Sequence, residues 1–155
     1  MPFRITGLSV EPFRHLFGLS DEELATRGII RRVADTRPGL PDRVEIRDAQ
    51  PGETVLLLNY THQPASTPFQ ASHAIFVREG ATERYDRTNE VPPAMRQRTL
   101  SLRAFDNNDI MIDADLVEGA TVEQLIGRFF DNPKVSYIQA HYAKWGCYAA
   151  RIDRA

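Results

Sequence analysis

The 155-residue chain is 42% hydrophobic and 26% charged, the composition of a globular protein and not of a disordered one. Its 19 Lys and Arg against 21 Asp and Glu leave a formal charge of −2, which argues against a nucleic-acid binder, since such proteins usually carry a basic excess. The single cysteine allows no intrachain disulfide, so nothing requires an oxidising compartment.

The N-terminal MPFRITGLSV lacks the basic and then apolar pattern of a secretory signal. The longest apolar runs, VLLL and AIFV, are about four residues, against ~20 for a membrane span. A single globular domain over residues 1–155, in the cytoplasm, is the expectation.

In chain order, PFRHLFGL reads as a helical turn. LSDEELATRG follows as a short helix, with Ser20 and Glu23 as a capping box and Leu19 and Leu24 as a hydrophobic staple. Gly28 is placed to end it in the left-handed conformation. GIIRRVA and RVEI (28–34 and 43–46) read as extended, separated by the turn-rich TRPGLPD. After the QPGE turn, TVLLLNYTH (54–62) is rich in residues that pack on a pleated surface. QPASTPFQAS carries two prolines and is a loop. HAIFVRE (73–79), TLSLRAF (99–105) and DIMIDADLV (109–117) are the next strands, the last two joined by a DNND hairpin turn. PPAMRQR (92–98) suits a helical turn with proline at its start.

The clearest helix is TVEQLIGRFFDN. Val122, Leu125, Ile126, Phe129 and Phe130 form a core-facing stripe. Thr121 and Gln124 suggest a second capping box, and Asn132–Pro133 a stop. Gly127 costs about 1 kcal/mol relative to alanine in such a helix, which a close approach to the sheet would explain. KVSYIQAHY and CYAARID close the chain as two strands. The pattern predicts an α+β fold, a mainly antiparallel sheet with a helix near each end of the chain.

Three groups of residues are candidates for chemistry. The first is His141 with Cys147, flanking the turn of the last hairpin. A three-residue loop, KWG, with Gly146 at positive φ puts both side chains on one face; a four-residue loop, AKWG, separates them. The three-residue loop is favoured here, because it gives glycine the left-handed position. The pair then suits a Cys/His-dependent hydrolase or acyl transferase, with Cys147 as nucleophile and His141 as base. Such chemistry needs an electropositive, partly exposed thiol and oxyanion donors, which the sequence does not name. A buried cysteine acting as a small apolar residue is the favoured alternative.

The second group is Tyr60, His62, His73 and Arg103, which converge on a polar pocket for a small anion or carboxylate if their strands are adjacent. A half-exposed sheet face is the plainer reading. The third is a metal site from His62, His73, His141 and Cys147, whose spacings match no metal motif; no metal is expected. Gly-rich phosphate loops, dinucleotide fingerprints and nucleophile elbows are absent, so no cofactor is expected. The expected partner is a small-molecule ligand, with neither nucleic acid nor membrane.

The stretches GETVLLLNYTHQPASTPFQASHAIFVRE, RTLSLRAFD and HYAKWGCYAARIDR resemble a bacterial family described as domain of unknown function 1203. The resemblance runs from about residue 20 to the C-terminus, and members often carry Gly-Pro where this chain has His73–Ala74. It implies a single-domain, soluble bacterial protein and brings no activity, substrate or catalytic residue. A small-ligand-binding or otherwise non-catalytic domain is therefore the leading expectation.

Overall fold

The computed structural model describes residues 2–37 and 39–155. Of the sequence expectations, the TRPGLPD turn includes Pro38, which lies outside the described residues. Among the described residues, nine strands and four short helices make an α+β fold of antiparallel sheets. The order is β1 (Phe3–Thr6), α1 (Glu11–Arg14), α2 (Asp21–Ala25), β2 (Ile30–Val33), β3 (Thr54–Gln63), β4 (Ala71–Arg78) and β5 (Asp86–Thr88). Then come α3 (Pro93–Arg96), β6 (Thr99–Phe105), β7 (Met111–Glu118), α4 (Val122–Phe130), β8 (Tyr137–Tyr142) and β9 (Cys147–Arg154). There are two sheets: six strands in the order β5-β1-β9-β8-β6-β7, and three in the order β2-β3-β4. Among the described residues no helix is long and apolar enough to cross a membrane.

The local signals work where they are strong. Ser20 and Glu23 form the capping box, and Gly28 has φ +71°. Leu19 and Leu24 join the same apolar cluster, which also holds Leu56, Leu58, Ile75 and Val77 of the small sheet. On α4 the five stripe residues are buried and pack with Leu100, Leu102, Ile138 and Ala140 of the large sheet.

Three local expectations are corrected. Thr121 makes no side-chain cap. A 3₁₀ turn over Gly119–Thr121 already leads into the helix, and the Thr121 hydroxyl turns back toward the Glu118 carbonyl. Gly127 approaches nothing: a Cβ there would meet no atom within 4 Å. Gly127→Ala is therefore expected to stabilise the fold by about 0.5–1 kcal/mol, through helix propensity and a less entropic unfolded chain. Urea titration checks this, and a loss of stability would mean that the helix surface is more crowded than its geometry indicates.

The third correction is RVEI, which is a bend and not a strand. The Asp42 carboxylate is fully buried and accepts from the backbone N–H groups of Val44, Glu45 and Arg78. Such an aspartate-centred turn competes with a sheet ladder. The bend is clamped from both sides: Leu8 N–H donates to the Arg43 carbonyl (2.9 Å), and Tyr85 N–H to the Val44 carbonyl (2.8 Å). Gly7 permits the contact, because a Cβ there would lie 2.1 Å from the Val44 carbonyl oxygen. The consequence is that the Arg43 side chain is driven inward, toward the β8–β9 hairpin.

Candidate functional site

The β8–β9 hairpin fixes the geometry. Tyr142 pairs with Cys147 and His141 with Tyr148, with a bulge after Ala140. The loop is therefore the four residues 143–146, closed by Gly146 N–H donating to the Tyr142 carbonyl at 2.8 Å. Gly146 does hold φ +79°, but the three-residue loop is overturned. A left-handed glycine suits both loops, and the pairing of Tyr142 with Cys147 decides between them. His141 and Cys147 consequently point to opposite faces of the sheet. The Cys/His pair expected from the sequence is not formed.

On the face of Cys147 lies a cavity of about 730 Å³, a size suited to a small organic molecule. Its apolar wall comes from Leu40, Pro41, Leu57, Phe76 and Trp145. Its charged lining is cationic: Arg32, Arg43, Arg98 and Lys144, with His73, Gln97 and Thr99 beside them and, among the described residues, no Asp or Glu. Arg98 is compensated from behind by Asp48, at 2.7 Å.

Arg43 is not compensated in this way. It is 1% exposed, and its donors go to the carbonyls of Tyr148 and Pro41 and, at 3.0 Å, to the Cys147 sulphur. Among the described residues it has no carboxylate partner. A guanidinium stays charged even when buried, so its charge calls for an anion.

Tyr142 completes the site. Its ring is packed by two guanidinium groups, Arg43 at 4.9 Å and Arg98 at 5.1 Å from the ring centroid. Its hydroxyl is buried and has no hydrogen-bond partner among the described residues. Burial pushes that hydroxyl up to about 12 despite the neighbouring cations, so it remains an O–H donor. A buried donor with no acceptor carries an uncompensated desolvation cost, which an acceptor atom in the cavity would remove.

The opposite face of the large sheet carries the histidines. His62, near the end of β3, meets His141 edge to face with ring centroids 4.8 Å apart, and stacks on Tyr148 at 5.7 Å. Tyr60 lies 6.2 Å from Tyr148. The Gln139 side-chain oxygen faces both His62 Nδ1 (3.0 Å) and His141 Nε2 (3.1 Å), while its amide donates to the His62 carbonyl. His141 Nδ1 faces the Gly146 carbonyl at 3.1 Å. A neutral imidazole donates from one nitrogen only, so it satisfies one of these two acceptors. Burial, followed by the charge of Arg103, holds His141 down at about 3, and burial lowers His62 as well. This is a packed neutral cluster, unsuited to a general base near neutral pH.

Of the four residues expected to form a pocket, the structure brings Tyr60 and His62 together, with Arg103 half-buried nearby. His73 pairs with Tyr60 across β3 and β4 but is only half-buried and lines the cationic cavity instead. Cys147 lines that same cavity. Arg43, Arg98, Tyr142, Arg32 and Lys144 were not legible as site residues. Arg43 opens RVEI, which the sequence pattern reads as extended and the structure shows as a bend. Among the described residues no three His, Cys, Asp or Glu side chains cluster to hold a metal ion.

A family model described as "Protein of unknown function (DUF1203)" matches residues 39–154. No curated protein and no solved structure matches the chain.

Proposed function

The chain belongs to the DUF1203 family, whose description carries no activity, and we propose from the geometry that it binds a small organic anion in the cavity beside the β8–β9 hairpin. One observation carries the reading: the buried Arg43 guanidinium has no carboxylate partner among the described residues and lines a cavity without acidic residues. A carboxylate or phosphate placed there gains charge-assisted hydrogen bonds and an acceptor for the Tyr142 hydroxyl. The apolar wall, with Leu57, Phe76 and Trp145, suits a flat or branched hydrocarbon body. In this reading the chain is one domain whose partner is a small molecule. The cations converge on a concavity, where a nucleic-acid site would spread them along a phosphate-tracking stripe.

Thermal shift tests the proposal with three probes: benzoate, inorganic phosphate and benzylamine. A ligand that binds only the folded state raises the melting temperature in proportion to the logarithm of its concentration. Benzoate is expected to raise it at millimolar concentration, phosphate less, and benzylamine not at all. Lys144→Gln and Arg32→Gln, both at exposed positions, should reduce the benzoate shift. Equal shifts with benzoate and benzylamine, or none with either anion, would overturn the proposal.

A further inference from the structure

We infer that Cys147 is a covalent modification site for small electrophiles that carry an anionic group, of the α,β-unsaturated carboxylate class. The inference rests on the anion-binding reading of the cavity and adds chemistry to it. Cys147 lines the cavity although it is only 8% exposed, so access to its side chain runs through the cationic lining. Arg43 donates to Sγ at 3.0 Å and is itself held by two backbone carbonyls. A fixed guanidinium beside sulphur is the electropositive setting in which reactive cysteines occur.

A second observation points to the ligand. Tyr142, directly across the hairpin from Cys147, lines the same cavity and carries a buried hydroxyl without a partner among the described residues. It is placed to donate to a carboxylate oxygen of a molecule in contact with the sulphur. His141 lies on the other face, so the chemistry needs no histidine base.

The addition balances without a co-reactant. Sulphur bonds to the carbon β to the carboxylate, and the carbon–carbon π bond breaks. Its electron pair takes up a proton at the α carbon, replacing the one lost from the thiol. Nothing is released and nothing is oxidised.

The test uses two fumarate esters, monomethyl fumarate (anionic) and dimethyl fumarate (neutral), with adducts counted by intact mass and located by peptide mapping. The rate ratio, anionic over neutral, is measured for the folded protein and for N-acetylcysteine. The folded protein is expected to give a ratio at least about tenfold higher, because cationic clefts concentrate anions. The adduct should map to Cys147, vanish in Cys147→Ser, and lose its charge preference in Lys144→Gln. A folded protein that forms no adduct while the urea-unfolded chain does would overturn the inference, as would a ratio equal to that of N-acetylcysteine. Benzoate thermal shift on Cys147→Ser separates the two claims. A retained shift with an unreactive wild-type thiol removes only the covalent step, whereas no shift and no charge preference removes both.

Discussion

Phe129→Ala is expected to cost about 3–5 kcal/mol of stability, the range for truncating a large buried aromatic. Phe129 is 2% exposed and belongs to the main cluster between α4 and the six-stranded sheet. Its neighbours on the same stripe, Val122, Leu125, Ile126 and Phe130, are equally committed to that interface. The six-stranded sheet against which α4 packs cannot close over the void without breaking its ladders, so the cavity term persists. Urea denaturation measures the loss. A cost below about 1 kcal/mol would mean that the helix face is not packed as described. The same helix gives the contrast already noted, since Gly127→Ala, two residues away and facing open space, should act in the opposite direction.

The second large effect is on pH dependence. His141 is fully buried and titrates at about 3 in the folded protein, against 6.5 for a free histidine. Between those values the unfolded chain binds a proton that the folded chain refuses. Stability is therefore fully present above about pH 6.5 and falls as the pH drops toward about 3. One such proton gives a slope of about 1.4 kcal/mol per pH unit, and His62, lowered by burial, adds in the same direction. Carboxylates contribute separately and lower down: Glu79, paired with Arg31, and Glu53, paired with Arg47, titrate at about 2 against 4.5. Their losses begin as the pH falls below 4.5. In the window from 6.5 to 4.5 the histidines lower stability as the pH falls. Among the described residues they are opposed only by Asp42, whose carboxyl is raised above 3.8 by burial, so that the folded chain holds its proton more readily. Urea denaturation across it should show the slope in the wild type and a reduced slope in His141→Gln. Flat stability across that window would contradict the placement of a neutral, buried His141.

How much of this was legible in the sequence depended on the length and redundancy of each signal. β6 was read with its observed ends, because TLSLRAF alternates over seven residues. The α4 stripe repeats over two turns, so five residues agreed with one another. β1 and β5 were missed: they are four and three residues long, too short for a period to register. Yet β1 lies inside the large sheet, between β5 and β9. Its strand character comes from those partners and not from its own composition.

The site was harder to read for a related reason. Tyr60 and His62 stand two residues apart on one strand, so local alternation puts them on one face. Nothing local says that the small sheet lays this face against His141 and Tyr148 of the large one. Arg43 is the extreme case. An arginine in an apolar run reads as solvated, and only the Asp42-centred bend, held by Leu8 and Tyr85 from distant parts of the chain, turns it inward. For Tyr142 and Cys147, one residue of loop length decides whether they share a face at all, as they do here.

The anion-binding claim is tested most directly by a crystal structure of the protein soaked with 4-bromobenzoate, using the anomalous signal of bromine to locate the ligand. The account predicts bromine against the apolar wall of Leu57 and Phe76, with the carboxylate within hydrogen-bond reach of Arg43 and the Tyr142 hydroxyl. A cavity without bromine at saturating ligand, or a carboxylate turned away from Arg43 toward solvent, would contradict it.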